Sequence, residues 1–255
     1  MPEGLEAEIY AVAAAQVVGH RIISIDVDER CADPREMASL VGRDIIGIKR
    51  HGKRVAIVLD GARLEMYFAM TGRLIVNDVA PITALEYGPV EERNEWDRLV
   101  VVTTKGSLRV NDPRRWARFT LDPDWSTLGV DLMADEGDLA DALSASRHRK
   151  ISTKALLLDQ GVIAGLGNML VDEVLFHVDI DPRRPFSSLT EDELTRLGQQ
   201  ISTTVSELGG RGGSHTGTLH PGIRRAHAVC PLDGTPLERV TLAGRTTFFC
   251  SQHQR

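Results

Sequence analysis

The sequence predicts an α+β protein built from one helix, an antiparallel β domain, a helical domain and a small cysteine-bearing hairpin. Three observations carry this. Segments rich in β-branched residues crowd the first half, helical patterning takes over after about Asp131, and two of the three cysteines, Cys230 and Cys250, stand in the tail.

From Glu3 to His20 the apolar residues Leu5, Ile9, Val12, Ala13 and Val17 recur at helical spacing, and Gly19 supplies a stop. The stretches "RIISIDV", "DIIGIKR", "RVAIVLD", "RLEMYFAM", "RLIV", "RLVVVTT" and "SLRVND" follow, broken by Gly, Asp and Asn turns. Strands so short and closely spaced suggest an antiparallel sandwich or barrel. Beyond Asp131 come "DLADALSAS", "KALLLDQ", "NMLVDEVLFHV" and "SLTEDELTRLGQQISTTVSEL", the last opening on a capping box of Thr190 and Glu193. A glycine-rich stretch, "GGRGGSHTGTLHPG", leads to the short strands "LERVTL" and "RTTFFC". The expected domains are 1–131, 132–222 and 223–255.

With 255 residues, 42% hydrophobic and 26% charged, the chain can bury a sizeable core. No apolar run is long enough to span a bilayer, and "MPEGLEAEIY" lacks a basic leader, so a cytoplasmic protein is expected. Three cysteines make no disulfide framework, and Cys31 reads as a structural or incidental thiol. A net charge of -6 argues by itself against a nucleic-acid partner. Yet basic residues gather in blocks, among them Lys49, Arg50, Lys53 and Arg54, then Arg114, Arg115 and Arg118, while acids gather elsewhere. That segregation permits one basic face, or simply solvated turns of both signs.

The tail reads Cys230-x2-Asp233-x16-Cys250-x2-His253, two ligand pairs on tight turns separated by two strands. Zinc accepts thiolate, carboxylate and imidazole in tetrahedral sites, so this set is admissible. A metal-free hairpin is the alternative, since Asp233-Gly234 is also an ordinary turn dipeptide. In the helical half, Gly165-Leu166-Gly167 joins two apolar helical patterns, with Asn168 placed to cap the second. Glycines allow close approach, and a helix start attracts anions, to which Lys154 would add a cation. At the other end, Pro2-Glu3 is a common helix opening. It is also chemically suggestive, because an α-amine has a pKa of about 7.7–8.0 against about 10.4 for lysine and is far more often unprotonated at neutral pH.

These motifs together resemble the formamidopyrimidine-DNA glycosylase and endonuclease VIII family. The carriers are "DQGVIAGLGNMLVDEVLF", Pro2-Glu3 with Glu6, "HGKR" with Lys53, "AMTGRL" with Met70 followed by "NDPRRWARF", and the tail with "GRTTFFC". The match spans nearly the whole chain. It implies an N-terminal β-sandwich, a C-terminal helix-two-turn-helix domain with a β-hairpin zinc finger, and a bifunctional DNA glycosylase and abasic-site lyase.

The resemblance further implies that Pro2, freed of Met1, is the nucleophile. Glu3 is then the acid at the sugar ring oxygen, Glu6 shares a proton or hydrogen bond with it, and Lys53 completes the catalytic set at the backbone. Lys154, Asn168 and Arg245 grip phosphates. Met70, Arg114 and Trp116 fill the gap left by an extruded base, where the plain alternative is core for Met70 and Trp116 and a surface ion pair for Arg114. Cys230, Asp233, Cys250 and His253 hold one structural zinc ion. The partner is damaged double-stranded DNA, with no membrane, and the protein works as a monomer in the bacterial cytoplasm at the nucleoid.

The chain departs from the family pattern at Gly4-Leu5, at Leu170 and Trp116, in two finger ligands, and in a short glycine-rich loop. An oxidised purine such as 8-oxoguanine or formamidopyrimidine is favoured over an oxidised pyrimidine. Rival readings are a non-catalytic damaged-DNA sensor and a structural nucleic-acid binder. Retention of Pro2, Glu3 and Lys53 speaks against both.

Overall fold

The structure is a computed structural model that describes residues 2–255 except 84, 86 and 226. The expected removal of Met1 concerns a residue outside those described. The chain divides into two compact units, Met1–Trp125 and Ser126–Arg255. The first ends before the change of texture at 131 because its last residues still serve a strand: Asp122 accepts the Arg63 N–H at 2.8 Å, and the Trp125 indole donates to Glu65. The cysteine-bearing tail belongs to the second unit rather than standing alone.

In the first unit α1 (Gly4–Ala14) runs into a 3-10 turn and stops before Gly19, whose φ is +82°. There follow β1 (Ile22–Val27), α2 (Pro34–Ala38), β2 (Ile45–His51), β3 (Arg54–Leu59), β4 (Ala62–Tyr67), β5 (Arg73–Val76), β6 (Asp97–Thr103), β7 (Gly106–Asn111) and β8 (Arg118–Leu121). They form two four-stranded antiparallel sheets, ordered β1-β6-β7-β5 and β2-β3-β4-β8. This is the sandwich, not a barrel. Alternation sets its core: β6 turns Leu99 and Val101 inward and Val102 outward, and β4 buries Leu64 and Met66. Each such aliphatic side chain contributes about 1.5–3 kcal/mol when fully buried. Tyr10 of α1 joins the same core, its ring 4.6 Å from that of Phe68.

Two short elements of this unit escaped the sequence patterns. α2 is held by Asp33, which accepts the Arg35 N–H at 2.8 Å, with Pro34 in the first turn. β8 is four residues long and takes its strand character from pairing with β4.

The second unit contains β9 (Val130–Asp131), α3 (Glu136–Ala145), α4 (Thr153–Leu157), β10 (Ile163–Ala164), α5 (Asn168–His177), α6 (Glu191–Arg211), β11 (Glu238–Leu242) and β12 (Arg245–Phe249). β9 and β10 pair in parallel, and β11 and β12 form an antiparallel hairpin. α6 opens on the expected capping box, with Thr190 and Glu193 exchanging bonds of 2.8 and 3.2 Å. It buries Leu194, Leu197, Ile201, Thr204 and Leu208 along one face. α5 is buried on all sides from Asn168 to Phe176 and forms the centre of this unit. No helix among the described residues is long and apolar enough to cross a membrane.

Candidate active site and nucleic-acid interface

Pro2 and Glu3 open the first unit and are buried. The Glu3 N–H donates to the Glu6 carboxylate at 2.7 Å, half of a capping box. A surface helix would gain the same cap without burying two carboxylates, which forfeits their hydration. The first turn of α1 thus encloses two carboxylates directly after Pro2. α1 lies on β2 and β3, and Arg50 of β2 holds Glu8 of α1 at 2.6 Å. The turn between these strands carries Lys53. His51 pairs with Arg54, leaving Gly52 and Lys53 at the tip, and Gly52 takes φ +57° at no steric cost. Buried Glu65 braces the hairpin by pairing with Arg54 at 2.6 Å.

On the same unit, Trp116 is 46% exposed, and the Arg114 guanidinium lies 5.0 Å over its ring. Arg114 has no ion pair among the described residues, and Met70 is half-buried. Neither a core role for Trp116 nor a surface ion pair for Arg114 describes this arrangement.

In the second unit the enclosed acids of α5 must be paired. Asp172 accepts Lys154 Nζ at 2.6 Å on one oxygen, and on the other Arg224 Nη1 at 2.7 Å and the Phe248 N–H at 3.2 Å. Arg224 also donates to the Thr246 carbonyl at 3.2 Å, which receives Asn168 Nδ2 at 2.9 Å. One carboxylate and one carbonyl thus fasten α4, the start of α5, the loop before the tail, and β12. The residue before Thr246, Arg245, is exposed beside a turn in which Ala243 and Gly244 take φ of 48° and 70°.

Glu173 grips the other end of that loop. It accepts the Thr218 and Leu219 N–H groups at 2.6 and 2.8 Å and contacts His177 Nε2 at 3.0 Å. A Cβ on Gly217 would fall 2.7 Å from this carboxyl group, so a larger residue there would have to displace the Glu173 side chain. Burial pushes the Glu173 pKa up, but the His177 and backbone donors outweigh it and hold the carboxyl below its ordinary range. The same bond lifts the His177 imidazole above its own.

The tail residues Cys230, Asp233, Cys250 and His253 bring their ligand atoms within 4.8 Å of one another. Cys250 Sγ lies 3.4 Å from Asp233 Oδ2, that oxygen 3.7 Å from His253 Nδ1, and Nδ1 4.0 Å from Cys230 Sγ. A tetrahedron with zinc bonds of about 2.0–2.3 Å has edges of about 3.3–3.8 Å, so the donor set fits such an ion. Asp233 Oδ1 accepts from the Thr235 N–H at 2.9 Å and its hydroxyl at 2.6 Å, which turns Oδ2 toward the cluster. These bonds hold the carboxyl well below the usual range. The Leu232 N–H approaches Cys230 Sγ at 3.4 Å, while His253 Nε2 makes no hydrogen bond among the described residues and has Asp179 at 3.8 Å.

The N-terminal domain model of formamidopyrimidine-DNA glycosylase matches residues 1–119, and its H2TH domain model matches residues 128–218. The formamidopyrimidine-DNA glycosylase of Geobacillus kaustophilus is 33% identical over 246 residues, covering 88% of this chain and 86% of that one. That of Methylocella silvestris is 32% identical over 292 residues and covers 100% of both. The chain belongs to the formamidopyrimidine-DNA glycosylase family. Among solved structures, Lactococcus lactis Fpg bound to DNA containing an oxidised pyrimidine superposes with a TM-score of 0.82 at 26% identity, over 100% of both chains. The L. lactis enzyme with DNA containing N7-benzyl-Fapy-dG gives 0.81 at 25%, again over 100% of both.

Within this formamidopyrimidine-DNA glycosylase fold, two expectations change. Lys154 is 0% exposed and committed to Asp172, so it braces the interior instead of reaching a phosphate. Asn168 is the first residue of α5 rather than its cap, which is Gly167; its Nδ2 donates to the Thr246 carbonyl, and its buried Oδ1 has no partner among the described residues. The bracing roles of Asp172, Glu173 and Arg224 were not foreseen, although two acids inside the apolar run "NMLVDEVLF" are a legible signal of buried partners.

Proposed function

We propose that this protein excises an oxidised base, of the 8-oxoguanine or formamidopyrimidine type, from duplex DNA and cleaves the strand through a Schiff base on Pro2. With Met1 removed, the Pro2 nitrogen attacks C1′ of the damaged nucleotide. The N–C1′ bond forms, the glycosidic bond breaks, and the base departs with the electron pair and a proton. Glu3 protonates the ring oxygen, the sugar opens, and the nitrogen lone pair makes an iminium. Loss of a C2′ proton into this electron sink then expels the 3′ phosphate. Glu6 supports Glu3, and Lys53 neutralises the adjacent backbone. The observation that carries this reading is the burial of Glu3 and Glu6 directly behind Pro2.

Asn168 and Arg245 contact phosphate, which positions the duplex without reading sequence. Met70, Arg114 and Trp116 occupy the space of the extruded nucleotide, and the protein acts as a monomer at the nucleoid. Cys230, Asp233, Cys250 and His253 hold one zinc ion whose role is to stiffen the finger that presents Arg245; a module this small needs such a staple. Duplexes carrying a single 8-oxoguanine, a formamidopyrimidine or an oxidised pyrimidine test the reading. Faster single-turnover excision of the purine lesions is expected. Faster release of the pyrimidine would move the protein to an endonuclease VIII-like specificity, and binding without excision of any base would make it a damage sensor.

A further inference from the structure

The loops that bear Met70 and Trp116 are crossings between the two sheets of the sandwich. Residues 68–72 lead from β4 to β5 and residues 112–117 from β7 to β8. Because β4 pairs with β8 and β5 with β7, both crossings fall at the same end. The first is closed tightly, with the Gly72 N–H on the Phe68 carbonyl at 2.9 Å, and a Cβ on Gly72 would meet that oxygen at 2.4 Å.

Asp112 joins the two. Its side chain is fully buried, and each oxygen has two donors: Oδ2 takes the N–H groups of Trp116 and Ala117 at 2.7 and 2.8 Å, and Oδ1 takes the Arg114 N–H at 3.1 Å and the Thr71 hydroxyl. Its main chain is fixed as well, the carbonyl receiving Arg98 Nε at 2.8 Å and the N–H reaching the Trp96 carbonyl at 2.8 Å. The three amide bonds shape one loop and would suffice for a turn. The Thr71 hydroxyl adds nothing to that turn. It ties the turn to the other crossing, next to Met70.

We infer that Thr71 and Asp112 are a positioning pair that presets Met70, Arg114 and Trp116 as one wedge, so that extrusion of the damaged nucleotide starts against side chains already in place. The inference rests on the glycosylase reading above, since only an enzyme that extrudes a base needs a wedge. Unstacking a base step costs a few kcal/mol. Loops that had to order themselves on binding would add to that barrier, whereas loops locked through a buried carboxylate do not. A nucleotide that has already lost its base has no stacked base to displace and draws on the wedge far less.

The test compares Thr71→Val, which removes the hydroxyl at nearly constant volume, with Thr71→Ser, which keeps it. Single-turnover excision of 8-oxoguanine from duplex DNA is measured beside cleavage of the same duplex carrying a preformed abasic site, with thermal melting to confirm folding. Thr71→Val should slow excision about tenfold, the effect of one lost hydrogen bond. It should leave abasic-site cleavage within about twofold. Thr71→Ser should restore excision. Equal loss of both activities, no loss of excision, or failure of serine to restore it would overturn the inference. Wild-type protein inactive on both substrates would instead remove the glycosylase reading itself.

Discussion

At Asp172 two buried cations share one carboxylate, with Lys154 and Arg224 on opposite oxygens. Removing the acid strands both charges in an apolar interior, so Asp172→Ala should cost about 3–5 kcal/mol in chemical denaturation. A cost below about 1 kcal/mol would mean the pair is solvated in solution. Glu173 and His177 make a pH-dependent clasp on the neighbouring segment. The His177 imidazole is lifted by its bond to Glu173, against some cost of burial, and by the charges of Glu173, Glu207 and Asp179. A raised pKa adds stability that is complete below the unfolded value, near about 6.5 for histidine, and is lost as pH rises through the folded value. Glu173 is depressed, so its contribution is present above the unfolded carboxylate value and is lost as pH falls through the folded one. The clasp is therefore tightest between the two ranges. Hydrogen exchange at the Thr218 and Leu219 amides should accelerate beyond its intrinsic rise as pH climbs past about 6.5, and His177→Gln should abolish this excess. Matching profiles for wild type and variant would contradict the clasp.

Among the elements, the finger ties spacing in the sequence to a measurable consequence. Asp233→Ala should lower zinc content below one per chain and weaken binding of damaged and undamaged duplex alike, while bound abasic DNA is still cleaved. Elemental analysis checks the first part, and substantially less than one zinc in the unaltered protein, together with full DNA binding by Cys230→Ala, would exclude the metal. Arg245→Ala should reduce the salt-dependence slope of binding by about 0.9, the share of one phosphate contact. Elements with strong periodicity were legible from sequence: β1 to β7, the capped α6 and both finger strands lie where patterning puts them. α2 and β8 were not, because a five-residue helix rests on one cap and a four-residue strand on its neighbour. Lys154 was misread for a related reason. Its sequence context offers a cation near a glycine turn, and only the folded chain reveals Asp172 beside it.

For the whole molecule, the order of helix, sandwich, helical domain and hairpin follows from the sequence, because each change of period is abrupt. The division at Trp125 does not, since it depends on Asp122 and Trp125 bonding back to Arg63 and Glu65. The family motifs named Pro2, Glu3, Glu6, Lys53, Met70, Arg114, Trp116 and the finger set. The buried carboxylates that brace the loops and helices around them, Glu65, Asp112, Asp172 and Glu173, became visible only through their partners. Strand cleavage by this route requires the Pro2 nitrogen as nucleophile, and borohydride reduction in the presence of abasic-site duplex tests that requirement most directly. Met1-processed protein should yield a covalent complex whose cross-linked peptide maps to Pro2, and blocking the N-terminus should prevent it. A complex mapping to Lys53 or another lysine, or none from processed protein that binds the duplex, would contradict it.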